Sequence, residues 1–371
     1  MTVPMTGQAT GAAIRWRRGV VTTVERCWHG ARELEVDVSG EPVRALAYTD
    51  LVGAPEPGDV VLLNATALLM GLGTGGYAIV VAAPDALPPD RPVGPGHLVK
   101  ARYTPSQAVV LGVDEPDSSW HDTLRDADDL AGMPVVVADL HSAVPAIVTG
   151  LRERVPDARV AYVMTDGGAL PLAFSRTVAG LVGSGWLAAT ITVGQAFGGA
   201  LEAVSVHSGL LAARHVVDAD VTVVTQGPGN LGTGTRWGFS GVAAAEALNA
   251  VGVLGGRPVA ALRVSQADLR PRHRGVSHHS LTTYGRATLV AADVVVPLLG
   301  GELGALVGKQ VMSLAQRHRL VEVDVDGLLA ELLDCPVPLA TMGRGLDQDA
   351  AAFLASAAAG RHAATLLGGV Q

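Results

Sequence analysis

Aromatic residues are scarce in this chain, since Phe, Tyr and Trp together make up 4% of its 371 residues. Charged residues reach only 17%, and the net charge is −8. A chain with an acidic balance and few rings for stacking is not typical of a nucleic-acid-binding protein. A basic patch within it could still bind small anions.

Cysteine is nearly absent too. Cys27 and Cys335 form no metal-ligand or redox spacing, which fits a reducing cytoplasm. Residues 1–19 have no apolar core of a signal peptide. One uncharged run, residues 177–201, is long enough to span a bilayer, but its six glycines favour a helix end, a turn and a strand. We therefore expect a cytoplasmic protein without membrane association.

Apolar residues make up 49% of the sequence, which is typical of a globular chain with a large core. Residues 14–113 contain many short strand-like runs separated by turn signals, and this spacing predicts a small barrel or sandwich. From residue 134 onward, apolar strands alternate with helical stretches. The sequence therefore predicts a β-rich barrel-like domain over 1–118, then an α/β domain over 119–371 with a mostly parallel sheet covered by helices.

Polar residues follow the predicted strands of this sheet repeatedly. Asp139 and His141 come after the first strand, Asp166 after the second, and a "GQAFGG" segment after the third. Each has a plain structural explanation, because aspartates often cap helices and a histidine can be a satisfied core residue. Since parallel sheets bind ligands at the carboxyl ends of their strands, the recurrence favours a functional site there.

A glycine-rich loop follows the fourth strand, in "VVTQGPGNLGTGTRWGFSG" (residues 223–241). It contains a literal G-x-G-x-x-G, but the helix cannot begin before Ser240 and the next strand's acidic residue comes too late for a dinucleotide fingerprint. Ser240 as helix N-cap and the loop's amides could instead bind an anion, although a mobile surface loop without ligand is the alternative. The candidate anion-binding residues here are Gly227, Gly229, Gly232, Thr233, Thr235, Arg236 and Ser240.

The segment 263–280 concentrates basic and imidazole side chains in an otherwise acidic chain. Arginine forks recognise phosphate or carboxylate, so this segment extends the predicted anion site. Adjacent His278 and His279 cannot point the same way in a regular strand, so at most one is expected to enter the site. A solvated basic loop or a subunit contact in a homo-oligomer is the alternative. The further candidates for anion binding are Arg263, Asp268, Arg270, Arg272 and Arg274.

The acidic and imidazole residues of these segments suggest two kinds of chemistry. Asp139, His141, Asp166 and one of His278 and His279 could hold Mn, Fe, Zn or Mg in a hydrolytic role, although no local spacing such as H-E-x-x-H supports this. Without a metal, the same residues could supply a general base and the group that orients it.

The sequence thus predicts an enzyme of hydrolysis or group transfer acting on a small anionic, phosphorylated or nucleotide-like substrate. The catalytic candidates are Asp139, His141, Asp166, His278 and His279. The alternative is a protein that senses a metabolite or nucleotide, or acts as a scaffold, through the same cleft without chemistry. A nucleic-acid-associated protein that binds through the barrel is a third, weaker hypothesis.

The strings "LGTGGY", "DLHS", "GQAFGG", "GPGNLGTGTRWGFSG" and "RVSQADLRPRHRGVSHHS" occur in this order along nearly the whole chain. In this respect the sequence resembles the bacterial family called domain of unknown function 3866. The resemblance implies a bacterial cytoplasmic protein with this two-part layout. It transfers no activity, cofactor or catalytic residue to this chain.

Overall fold

The N-terminal strands alternate buried and exposed residues, and this alternation closes them into a small barrel. The computed structural model describes residues 14–73, 75–90 and 94–368, and contacts divide the chain into two units, 1–93 and 94–371. Most of the N-terminal segment argued above to lack a signal peptide lies outside the described residues, as does Thr74 of "LGTGGY". The first unit contains β1 (Trp16–Trp28), β2 (Ala31–Val38), β3 (Glu41–Tyr48), β4 (Val60–Asn64), β5 (Ala78–Ala82), α1 (Thr49–Val52) and α2 (Thr66–Leu69).

The barrel closes in the strand order β1-β2-β3-β5-β4, with β4 pairing back to β1. All its ladders are antiparallel except the one between β3 and β5. Leu34, Val36 and Leu63 are fully buried in its core. The barrel-like domain predicted from the sequence is confirmed.

The second unit begins earlier in the chain than the boundary at residue 118 that the sequence suggested. The hairpin of β6 (Leu98–Lys100) and β7 (Ala108–Val110) belongs to it. The reason is a buried polar anchor, because the Lys100 ammonium donates to the carbonyls of Ala196 and Ala203 and lies 3.3 Å from the Glu202 carboxylate. Gly112 also forms a bridge with Glu202 at the sheet edge.

An eight-stranded sheet forms the centre of the second unit, in the order β11-β10-β9-β12-β8-β13-β16-β17. Every neighbouring pair runs parallel, which confirms the predicted parallel sheet. The remaining strands of this unit, including four short ones outside the sheet that pair as β14 with β15 and β18 with β19, are β8 (Pro134–Val137), β9 (Val160–Thr165), β10 (Ala189–Thr192), β11 (Leu201–Glu202), β12 (Val221–Gln226), β13 (Arg257–Ala261), β14 (Val264–Ser265), β15 (Gly275–Val276), β16 (Asp293–Leu298), β17 (Arg319–Asp324), β18 (Ala340–Thr341) and β19 (Arg344–Gly345).

Helices cover both faces of the sheet, as the near-continuous apolar strands predict. On one face α4, α5, α10 and α11 enclose a core, and on the other α6, α7 and α9 enclose a second core. The helices of this unit are α3 (His121–Leu124), α4 (Val144–Arg152), α5 (Arg176–Gly183), α6 (Val206–His215), α7 (Ala244–Val253), α8 (His278–Thr282), α9 (Gly301–Val311), α10 (Leu328–Leu333) and α11 (Ala350–Leu367).

The strand order creates a place where neighbouring connections diverge. The chain leaves β8 toward β9 on one side, and it leaves β13 toward β16 on the other. Because these two connections move apart, a crevice opens between the carboxyl ends of β8 and β13. This is where parallel α/β sheets bind their ligands.

Among the described residues, no helix has the length and apolar character needed to cross a membrane. Residues 177–201 fold as nearly all of α5, a turn, β10, a loop and the first residue of β11, so the run is broken by a turn and a loop as the sequence suggested.

Candidate active site at the carboxyl edge of the sheet

A cleft lies at the crevice between β8 and β13, with an empty volume of about 500 Å³ that includes open solvent. Residues after β8 form one wall and residues after β13 form the other. The N-terminal turn of α11 and the β18–β19 hairpin complete it. The polar residues that line the cleft are Asp139, Ser142, Arg263, Ser265, Asp268, Thr341, Arg344, Asp349 and Ser356.

Asp139 carries the least satisfied group of this cleft. Its side chain is 3% exposed, and its Oδ2 atom has no hydrogen-bond partner within the described structure. Burial raises the pKa of this carboxyl, an effect that the Arg263 guanidinium partly opposes. A buried carboxylate oxygen without a partner is costly unless a ligand or a proton satisfies it, which makes Asp139 the candidate residue of this cleft for contact with a ligand.

Arg263 and His279 face Asp139 from the segment after β13. Arg263 Nη1 and His279 Nδ1 each lie 3.9 Å from Asp139 Oδ2, and they are 3.2 Å from each other. The His279 ring also stacks on Phe239, with ring centroids 3.9 Å apart and planes 3° from parallel. The end of the glycine-rich loop thereby holds His279 beside the carboxylate.

Three histidines form a cluster next to this group. One ring nitrogen each from His273, His278 and His279 lies within 4.8 Å of the others. The centroids of His278 and His279 are 4.4 Å apart, and each is 5.0 Å or less from that of His273. Three neighbouring imidazoles are the ligand set of one known class of zinc site, although the nitrogens here lie farther apart than in a metal-bound site.

The local fold explains why both adjacent histidines enter the cluster. The sequence argument assumed a strand, in which neighbours point to opposite sides, and that assumption is wrong. His278 and His279 open α8, where Ser277 is the N-cap and its hydroxyl accepts from the His279 amide. Successive residues of a helical turn are only a fraction of a turn apart, so both rings can face His273.

All three rings are held in the neutral form. Burial and the nearby Arg263 lower the pKa of His273 to about 4 and that of His279 to about 3. Burial, together with Arg272, also lowers the pKa of His278. At neutral pH the cluster therefore offers imidazole lone pairs and no positive charge of its own.

Two arginines of the cleft region, of which only Arg270 was predicted to bind an anion, already have carboxylate partners. Arg270 makes a two-pronged contact with Asp268, at 2.9 and 2.7 Å, which lowers the pKa of that carboxyl. Arg344 pairs with Asp349 at 3.0 Å. Arg263 has no carboxylate closer than 3.9 Å among the described residues, so it is the buried arginine most available to a ligand.

The other basic residues lie at the rim. Arg272 and Arg274 are exposed, and the Arg272 guanidinium reaches the tip of the glycine-rich loop at Gly234. Arg236 is exposed in the same loop, and no ion pair to it is formed within the described part of the chain.

The glycine-rich loop makes most of its hydrogen bonds to itself. The Thr233 amide donates to the Gly238 carbonyl, and the Thr235 hydroxyl accepts from the Gly238 amide. The Ser240 hydroxyl donates to Asn230 and accepts from the Leu231 amide, so it does not cap the helix as the sequence suggested. The helical turn nevertheless starts at Ser240, as expected.

The first glycines of the loop are needed for backbone contact. A Cβ on Gly227 would lie 2.3 Å from the Ala169 carbonyl oxygen, and one on Gly168 would lie 2.2 Å from the Gly227 oxygen. The turn after β9 and the loop after β12 therefore pack main chain against main chain. Gly229 adopts a φ of +93°, whereas Gly232 pairs with Phe239 in an isolated bridge.

His141 lies outside the cluster and is fully engaged. Its Nδ1 bonds the Tyr162 hydroxyl at 2.9 Å, and its Nε2 bonds the Ser175 hydroxyl at 2.7 Å. Burial lowers its pKa to about 4. These contacts match the alternative of a satisfied core histidine.

Asp166 also lies apart from the cluster. Its Oδ2 accepts from the Gln195 amide at 2.9 Å, and it lines a separate depression beside α6 and α7 together with His207 and Glu246. The structure thus brings together Asp139, Arg263, His278 and His279 from the predicted set, but not His141, Asp166 or Arg236.

Sequence reasoning left His273 out of the catalytic set, and it did not assign the cleft residues Ser265 and Asp349. Ser265 donates to Asp349 at 2.6 Å, which ties α11 to the strand after β13. The spacing of His273 from His278 carried no recognisable motif, because a 3₁₀ turn and β15 separate them. Only the density of histidines in the segment pointed to it.

Comparison with known proteins gives one match. No curated protein and no solved structure matches this chain. A family model described as "Protein of unknown function (DUF3866)" matches residues 44–360. The match begins within β3, takes in β4 and β5 of the barrel, and covers nearly all of the second unit, including the whole cleft, so the chain belongs to this DUF3866 family.

Proposed function

We propose that the chain is an enzyme of hydrolysis or group transfer that acts on a small anionic, phosphorylated substrate in the cleft between β8 and β13. The observation that carries this is Asp139, whose buried Oδ2 lacks a partner and lies 3.9 Å from both Arg263 and His279. Phosphorylated metabolites and nucleotides are abundant in the cytoplasm, where we place the protein.

Arg263 binds the anion in this scheme, because its guanidinium is the buried cation of the cleft without a close carboxylate. Asp139 acts as general base. It accepts the proton of a water or substrate hydroxyl while that oxygen bonds to phosphorus and the leaving oxygen departs. A carboxyl whose pKa is raised by burial suits this role at neutral pH.

Replacing Asp139 by Asn tests the role of the carboxylate. Purified protein is screened against phosphorylated metabolites and nucleotides for phosphate release or transfer. In the D139N variant we expect turnover to fall by about 10²–10⁴-fold, because general-base catalysis supplies a factor of that size, while ligand binding persists.

The matched control is Asp157→Asn, an exposed aspartate that precedes β9 at the opposite edge of the sheet. It should leave turnover unchanged. Binding of a phosphorylated ligand without turnover in the wild-type protein would contradict the enzyme and favour a sensing protein that uses the same cleft.

A further inference from the structure

The cluster of His273, His278 and His279 has features that the proposed acid–base chemistry does not use. The three ligand atoms lie within 4.8 Å of one another, whereas nitrogens around a tetrahedral zinc ion are about 3.3 Å apart. Ring rotations of a modest size would close that difference. An anion site built around Arg263 does not require three neighbouring imidazole rings.

The hydrogen bonds indicate which nitrogens are available. His273 Nδ1 bonds the Ser277 hydroxyl at 2.8 Å, and His279 Nδ1 faces Arg263 and Asp139. His278 Nε2 is buried and has no partner within the described residues. On each ring, the Nε2 atom is therefore the one free to bind a ligand.

The unpartnered oxygen of Asp139 fits the same arrangement. A histidine that binds a metal through Nε2 carries its proton on Nδ1, and metal sites commonly give that proton to a carboxylate. Asp139 Oδ2 lies 3.9 Å from both His279 Nδ1 and Arg263 Nη1, and it has no hydrogen-bond partner among the described residues. It is thus placed to accept the Nδ1 proton of a metal-bound His279, a role that would take the place of the general-base role of Asp139 and that leaves Arg263 available to an anion.

We propose that His273, His278 and His279 bind one divalent transition-metal ion through their Nε2 atoms, with Asp139 positioning His279. Zinc suits three imidazole ligands, and three protein ligands leave a coordination position for water or substrate.

The arginines around the cluster determine what occupies that open position. The Arg263 guanidinium lies 3.2 Å from His279 Nδ1, so a metal ion there sits in a positive field, which opposes its binding unless an anion accompanies it. That field favours an anionic fourth ligand such as hydroxide or a phosphate oxygen. The catalytic use of the metal rests on the proposed function above, whereas metal binding itself does not.

The test uses the full-length chain, stripped of metal with a chelator and then titrated with zinc by calorimetry. We expect one zinc ion per chain in the wild-type protein. His278→Ala should weaken binding by at least about 100-fold, because it removes a direct ligand, and D139N should weaken it by about 10–100-fold, as loss of an outer carboxylate does.

The matched control is His207→Ala, an exposed histidine beside α6, which should bind zinc as the wild type does. Cobalt substitution adds a measurement that needs no variant, since a four-coordinate nitrogen and oxygen site gives intense visible absorption. Circular dichroism checks that each variant is folded.

Two outcomes would overturn the metal site: no zinc uptake by the wild-type chain, or equal zinc affinity in wild type and a folded H278A variant. These outcomes are separate from those of the proposed function. Turnover that survives in metal-free protein and in H278A overturns the catalytic use of the metal alone, whereas the zinc titration decides whether the metal site exists. Stoichiometric zinc binding without turnover of any phosphorylated compound overturns the proposed enzymatic function and leaves the metal site standing.

Discussion

Histidines in this protein differ in what their ring nitrogens contact. A ring whose nitrogens are both hydrogen-bonded fits a structural role, whereas a ring with an unpartnered nitrogen is a candidate for binding a ligand. Both nitrogens of His141 bond neighbouring hydroxyls, whereas His278 keeps a buried Nε2 without a partner in the described structure. The sequence shows the same residue type in both places. Which nitrogens are satisfied depends on Tyr162 and Ser175, which are distant in sequence, so no local pattern could predict it.

Buried His141 makes stability depend on pH. Its pKa is about 4 in the folded protein and about 6.5 in an unfolded chain. The unfolded state therefore binds more protons between these values, and stability is lost as the pH falls from 7 toward 4. At pH 5 this one group costs about 2 kcal/mol.

Replacing His141 by Gln removes the titrating ring, so the free energy of unfolding should depend less on pH between 7 and 5. Urea denaturation at several pH values measures this slope. His207→Gln, at an exposed site, should keep the wild-type slope. If the free energy of unfolding depends on pH equally in wild type and H141Q, then burial does not lower the pKa of His141.

At the scale of elements, the contact between α4 and α11 depends on two glycines. A Cβ on Gly150 would lie 1.9 Å from the Ala357 carbonyl oxygen, and one on Gly360 would lie 1.8 Å from that of Ile147. The two backbones therefore touch directly. This contact holds α11 against the sheet, and α11 in turn supplies a wall of the cleft.

Gly360→Ala should destabilise the protein by about 1–3 kcal/mol or more, because the added methyl group overpacks a backbone contact. Gly308→Ala in α9 is the matched control, since nothing lies within 4 Å of its added Cβ. Alanine there should be neutral or stabilising by up to about 1 kcal/mol. Thermal or urea unfolding measures the stability of both variants. Equal stabilities would contradict the close approach of the α4 and α11 backbones at Gly360.

The elements themselves were largely predictable, but the cluster was not. Apolar runs such as "PVVVADL" and "DVTVVTQ" indicated β8 and β12, because strands buried on both faces must be apolar throughout. Spacing alone argued against a dinucleotide fingerprint in the glycine-rich loop, and the helical turn begins at Ser240, as that argument expected. The α8 turn that begins at His278 was not predicted. The residues around it show no strong helical periodicity, and a single N-cap residue, Ser277, is a weak signal for a helix start.

At the scale of the whole molecule, each unit has its own hydrophobic core. Composition and strand spacing predicted the two-part layout, but not that the β6–β7 hairpin belongs to the second unit. The hairpin's anchor, Lys100, is a single charged residue in a strand-like run. Its partner Glu202 lies about a hundred residues away, so local sequence could not reveal the pair.

A fragment of residues 94–371 should therefore fold alone and unfold in one cooperative transition. A fragment of residues 119–371 lacks Lys100 and leaves Glu202 buried without its partner. It should be less stable by about 3–5 kcal/mol, the cost of breaking a buried ion pair from one side. Urea unfolding of the two fragments provides the comparison, and equal stability would show that the hairpin is dispensable.

The cleft takes its walls from distant parts of the chain: residues after β8, residues after β13, and the first turn of α11. Asp349 at the start of α11 accepts a hydrogen bond from Ser265, so two of these walls are joined although 84 residues separate the two side chains. A truncation before Asp349 would remove the α11 wall and this bond, while β8, β13 and Asp139 would stay in the chain.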